Sequence, residues 1–190
     1  HEYAHIVSLQ KSMKMGNKIP GAYFQFMGYE KEKRKDVLYG FPNSLVSYPI
    51  PGTVVPPWLA EGIAQYMYDG ADWDHWDTHR DMILRDRAIN KNLLSFNEMN
   101  TFGKKGIGNE STYNSGFALS RYIVFKYGSD IIKDLMIELS SPLQYSINDA
   151  FYNLLDIEGE EIYDDFVSTL EERYNKLVST IEVNHTNPII

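Results

Sequence analysis

The residues best placed to do chemistry open the chain: His1-Glu2-Tyr3-Ala4-His5. On a helix two histidines four apart lie about one turn from each other and about 40° apart around the axis, so both imidazoles can reach one ion. Glu2 sits on the adjacent flank. There it can hold and deprotonate a water without itself being a ligand, the division of labour that H-E-x-x-H encodes for zinc-activated hydrolysis. A catalytic zinc needs a third protein ligand and an open position. Glu61, early in the Trp58-Leu59-Ala60-Glu61-Gly62 segment, is the candidate, and the small residues Ala60, Gly62 and Ala64 are expected to let its helix approach the histidine helix closely.

These residues need particular elements under them. His1, His5, Leu9 and Met13 share one helical stripe, which predicts a helix over residues 1 to about 15, ended by Gly16-Asn17 and Pro20. From Gly21 to Val55 the pattern turns to aromatic and β-branched runs broken by Gly and Pro, with short strands expected near 22–26, 37–40 and 45–48. The charged run 31–36 reads as a solvated tip between two of them. Pro57 suits a first helical turn, and Trp58, Leu59, Ile63, Tyr66 and Met67 keep helical spacing until Gly70. Further helices are expected over about 75–89, 112–127 with Gly128 as the stop, 130–140, 146–155 and 159–178. Ser95 to Glu98 and Ser146 to Asp149 have the spacing of capping boxes, with Asp the poorer partner.

Composition bounds the rest. With 190 residues, 43% of them hydrophobic, the chain fits one domain with a real core, spanning residues 1–180 and followed by a tail over 181–190. A formal charge of −8 gives no basic footprint for nucleic acid or anionic lipid. Without cysteine, any transition-metal site must be built from histidines and carboxylates. No apolar run is long enough for a membrane helix, so no membrane insertion is expected. Because its first residue is the first of a motif normally embedded in a helix, the chain reads as a fragment of a longer protein.

The segment Pro56-Pro57-Trp58-Leu59-Ala60-Glu61-Gly62-Ile63-Ala64-Gln65-Tyr66 follows the opening motif at a distance. This pairing resembles the gluzincin metallopeptidases, specifically the peptidase MA-like group. The likeness continues through Trp76-Asp77-Thr78-His79-Arg80-Asp81-Met82, Leu93-Leu94-Ser95-Phe96, Thr112-Tyr113-Asn114-Ser115-Gly116-Phe117 and Tyr127-Gly128, and so covers most of residues 1 to 140. It implies a mainly α domain, the helical bundle of a zincin-like fold with a small β-rich insertion, whose usual sheet would lie upstream. It also implies Zn2+ held by His1, His5 and Glu61, Glu2 as general base, and a peptide or protein substrate. Tyr113 falls where several gluzincins present a tyrosine to the oxyanion of the tetrahedral intermediate, with Asn114 a weaker alternative. Similar chains often continue into a Tol-type β-propeller in exported bacterial proteins, which implies a periplasmic or extracellular setting.

Several residues invite blander readings. Trp58 is expected to be a core anchor rather than a substrate platform. Asp72, Asp74, His75, Asp77 and His79 are too irregularly spaced for a second metal and fit a solvated helix start. Arg80 and Arg85 read as surface cations, either of which can hold a substrate carboxylate. Two other functions stay open: a scaffold whose metal is structural, and metal-assisted hydrolysis of a non-peptide amide.

Overall fold

A computed structural model describes residues 1–14, 22–29, 42–50, 52–67, 78–100 and 110–181. The protein is mainly helical, with eight helices and two strands among these residues. Helix α1 spans Glu2–Lys11, β1 Ala22–Tyr29, β2 Pro42–Ile50 and α2 Pro57–Tyr66. Then come α3 (Thr78–Ile89), the single turn α4 (Phe96–Met99), α5 (Glu110–Tyr127), α6 (Ile131–Leu139), α7 (Ile147–Leu155) and α8 (Gly159–Ser179). None of these helices is long and apolar enough to cross a membrane.

The strands pair antiparallel from Ala22 opposite Ile50 to Tyr29 opposite Pro42, with an irregularity between Gly28 and Tyr29. Pro42 opens β2 beside the irregularity, and both strands of this two-stranded ladder are edge strands, the settings in which proline is tolerated. The run at 37–40, the charged residues 31–36 and the tail from 182 lie outside the described residues.

Local sequence signals set most helix ends. Pro57 occupies the first turn of α2, where its missing amide proton costs nothing, and the amides of Leu59 and Ala60 both donate to the Pro56 carbonyl at 3.1 Å. Ser95 and Glu98 form a complete capping box, which closes α4, a turn the helical periodicity alone did not predict. At α7 only half a box forms: the Ser146 side chain accepts from the Asp149 amide. Gly128 ends α5 at a φ of 93°, a left-handed conformation that a side chain disfavours.

One apolar core joins α2 to α8. Trp58, Leu59 and Ile63 of α2 pack with Leu119 and Ile123 of α5, Leu135 and Leu139 of α6, Phe151 of α7 and Phe166 and Tyr174 of α8. Trp58 is wholly buried, as expected of a core anchor. Helix α8 packs against α3, α4, α5 and α7. Asp165 on α8 accepts hydrogen bonds from Lys126 and Tyr122 on α5, and these bonds hold its carboxyl below the ordinary carboxylate range.

The tightest approach is between α2 and α5. A β-carbon added at Gly62 would stand 2.4 Å from the Gly116 carbonyl oxygen and 2.4 Å from Ser120 Oγ, and one added at Gly116 would stand 2.4 Å from the Trp58 carbonyl oxygen. The two helices thus meet backbone to backbone at a pair of glycines. Gly62 therefore serves the contact with α5, whereas the sequence had suggested that it eases the approach of α2 to α1.

Candidate metal centre

His1 is the N-cap residue of α1, and its carbonyl accepts the amides of Ala4 at 2.9 Å and His5 at 3.3 Å. This first turn carries both imidazoles toward α2, which packs on α1. The Nε2 atoms of His1 and His5 lie 3.2 Å apart, and their rings meet edge to face. Glu61, in the middle of α2, brings Oε2 to 3.4 Å from His1 Nε2 and 3.2 Å from His5 Nε2. Among the described residues these three form the one cluster of His, Cys, Asp or Glu able to share an ion.

The spacing allows a direct test of fit. With zinc–ligand bonds of about 2.05 Å and tetrahedral angles, donor atoms stand about 3.3 Å from one another. The three edges here are 3.2, 3.2 and 3.4 Å. Glu61 Oε2 is buried and accepts no hydrogen bond, although two ring nitrogens flank it. A buried carboxylate oxygen without a donor is costly unless a cation offsets its charge. Donor type, edge length and this oxygen without a hydrogen bond all suit one zinc-sized cation. The three side chains retain exposures of 23%, 17% and 15%, so the cluster lies near the surface while Glu61 Oε2 itself is shielded.

Polar links hold α1 against the body. Ser12, fully buried at the end of the helix, bonds its hydroxyl to the Leu9 carbonyl at 3.0 Å and to Thr53 Oγ1 at 2.9 Å. The Lys14 amide donates to the Gly52 carbonyl at 3.1 Å. Gly52 and Thr53 belong to the extended segment that leads into α2, so α1 and α2 are tied together twice, by the contacts among His1, His5 and Glu61 and by this segment. These links also stop the helix short of the expected residue 15: the chain turns at Ser12 to meet residues 52 and 53. Neither Ser12 nor Lys14 stood out in the sequence, because their partners are distant along the chain.

The other candidate residues fall around this cluster in different ways. Glu2 is exposed on the first turn of α1, beside His1. Tyr113 is partly buried on the first turn of α5 and is not one of the three converging residues. Asn114 is buried, with neither side-chain polar atom hydrogen-bonded. Arg85 pairs with Asp81 at 3.3 Å, Arg80 is half-buried and His79 is exposed. Asp72, Asp74, His75 and Asp77 lie outside the described residues. A cavity of about 630 Å³ opens between α3, α5 and α8, lined by Leu84, Arg121, Phe166 and Tyr174, and none of the three converging residues borders it.

No family model, curated protein or solved structure matches this chain.

Proposed function

We propose that the protein is a zinc-dependent peptidase whose metal is held by His1, His5 and Glu61. The observation that carries this reading is the convergence of two imidazole nitrogens and one carboxylate oxygen with edges of 3.2 to 3.4 Å. The resemblance of the two motifs to peptidase MA-like gluzincins supports it. Bound there, zinc would polarise the scissile carbonyl and acidify water.

The remaining work falls to the chain itself. His1 and His5 present ring nitrogens from one helical turn, and Glu61 adds a carboxylate that would offset one of the two charges of a bound Zn2+. Glu2, next to His1 and open to solvent, takes a proton from the attacking water and passes it to the leaving amine. Tyr113 is assigned a hydrogen bond to the developing oxyanion by the resemblance alone. The same resemblance underlies the proposals of a zincin-like fold, an exported parent protein and an attached β-propeller.

The test separates ligand from base. Glu2→Gln in the intact protein should bind zinc like the wild type and lose at least about a hundredfold in peptide cleavage, the scale of lost general-base catalysis. Elemental analysis and a peptide-library assay read the two quantities. Full activity in Glu2→Gln would end the assignment of the base; bound zinc in a wild type that cleaves no peptide would favour a structural metal.

A further inference from the structure

The end of α1 farthest from the histidines carries an arrangement that the chemistry above does not use. Lys14 extends its ammonium to three backbone carbonyls, those of Leu139, Ser141 and Gln144, the first at 3.2 Å. The same ammonium lies 4.7 Å from the centre of the Tyr145 ring. Leu139 is the last residue of α6, where unpaired carbonyls carry the negative end of the helix dipole. An ammonium has three protons and this site offers three acceptors.

The carbonyl ring is built independently of Lys14. The Ser141 amide donates to the Glu138 carbonyl at 3.0 Å and the Gln144 amide to the Ser141 carbonyl at 3.1 Å, which folds the chain after α6 into a closed turn. Glu138 Oε1 accepts from Gln144 Nε2 at 3.3 Å and from Asn153 Nδ2 on α7 at 2.8 Å, which fixes Gln144 from a second helix. The socket therefore belongs to the rigid body and the lysine to the segment that follows α1.

Besides the links from Ser12 and the Lys14 amide and its contact with α2, helix α1 gains little from apolar packing among the described residues. Tyr3, Ile6 and Val7 are 77%, 62% and 48% exposed, and the only buried residues from Glu2 to Ser12 are the serines at 8 and 12. Burial of apolar surface, the usual force that docks a helix, is nearly absent here.

We propose that Lys14 is a positioning residue for the metal centre: seated in the carbonyl socket at the end of α6, it holds α1 at the place where His1 and His5 meet Glu61. This proposal rests on the reading of the three residues as a zinc site. Outer-shell partners of metal ligands commonly affect metal affinity by about ten- to a hundredfold, and Lys14 exerts a comparable effect through the helix rather than through a ligand.

The experiment compares wild type, Lys14→Met and Lys14→Arg in the intact protein, with two readouts. Hydrogen exchange without metal tests the anchor. Lys14→Met should speed exchange of the α1 amides at least about tenfold while α5 and α8 keep wild-type protection, and Lys14→Arg, which keeps the charge, should fall between. Zinc titration against a competing chelator tests the consequence: Lys14→Met should bind about ten- to a hundredfold more weakly, with a shifted visible spectrum for Co2+ in place of zinc. Unchanged α1 exchange in Lys14→Met overturns the anchor, and unchanged zinc affinity with an unchanged Co2+ spectrum overturns the positioning role. A wild type that takes up no zinc overturns the metal reading itself, and the exchange arm still decides the anchor.

Discussion

Glu61 and the two histidines converge on one point from helices held in opposite ways. Helix α2 lies against α5 through the backbones of Gly62 and Gly116, with Trp58, Leu59 and Ile63 buried in the common core. Helix α1 meets the body through hydroxyls, an amide, an ammonium and the side chains of His1 and His5, while Tyr3, Ile6 and Val7 face solvent. Close packing of apolar groups resists small displacements, because interiors are as dense as organic crystals. Polar links over a solvated face give less net stability, since each replaces a bond to water. Glu61 is thus fixed by the core, and the two histidines by contacts that individual substitutions can loosen.

The sharpest way to break this contrast is to disturb the glycine pair. Gly116→Ala forces a methyl group against the Trp58 carbonyl, where the obstacle is backbone and cannot rotate away. It should cost about 3 kcal/mol or more of stability, at the upper end for overpacking, measured by denaturant unfolding. A loss under about 1 kcal/mol, well short of that overpacking cost, would show that the seam yields easily and that Glu61 is no better fixed than the histidines.

A smaller and more local effect is expected when metal is removed. With zinc bound as proposed, chelation should raise hydrogen exchange of the α1 amides at least about tenfold and leave α5 and α8 unchanged, because only α1 would rely on the shared ion for a large part of its docking. Uniform loosening of all helices would abolish the distinction between the two regions.

The least effect should come from the outward face of α1. Ile6→Ser should change stability by no more than about 0.5 kcal/mol, as for ordinary surface positions, in the same denaturant assay. A cost like that of a core isoleucine would mean that this face is covered in solution.

The sequence carried the helices well wherever a local signal marked their ends. Pro57, Gly128 and the serines before α4 and α7 act within a few residues of themselves, so their effects are legible in a single chain. The convergence of His1, His5 and Glu61 was legible for a similar reason, since residue type and helical spacing already restrict what two histidines can share. The end of α1 was not legible, because the chain turns there to meet Gly52, Thr53 and the carbonyls after α6. Gly62 was misjudged in partner rather than in kind: smallness predicts a close neighbour without naming it, and the neighbour is α5. The socket for Lys14 is made wholly of backbone oxygens, which no residue type announces.

The glycine contact also bears on when the site comes into being during synthesis. A glycine within a helix weakens it by about 1 kcal/mol relative to alanine, so α2 and α5 are each poorer helices apart than together. A ribosome releases both histidines and Glu61 well before it reaches Gly116. Until α5 emerges, α2 lacks the surface that fixes it, and the nascent chain carries both histidines and Glu61 without the geometry that brings them together.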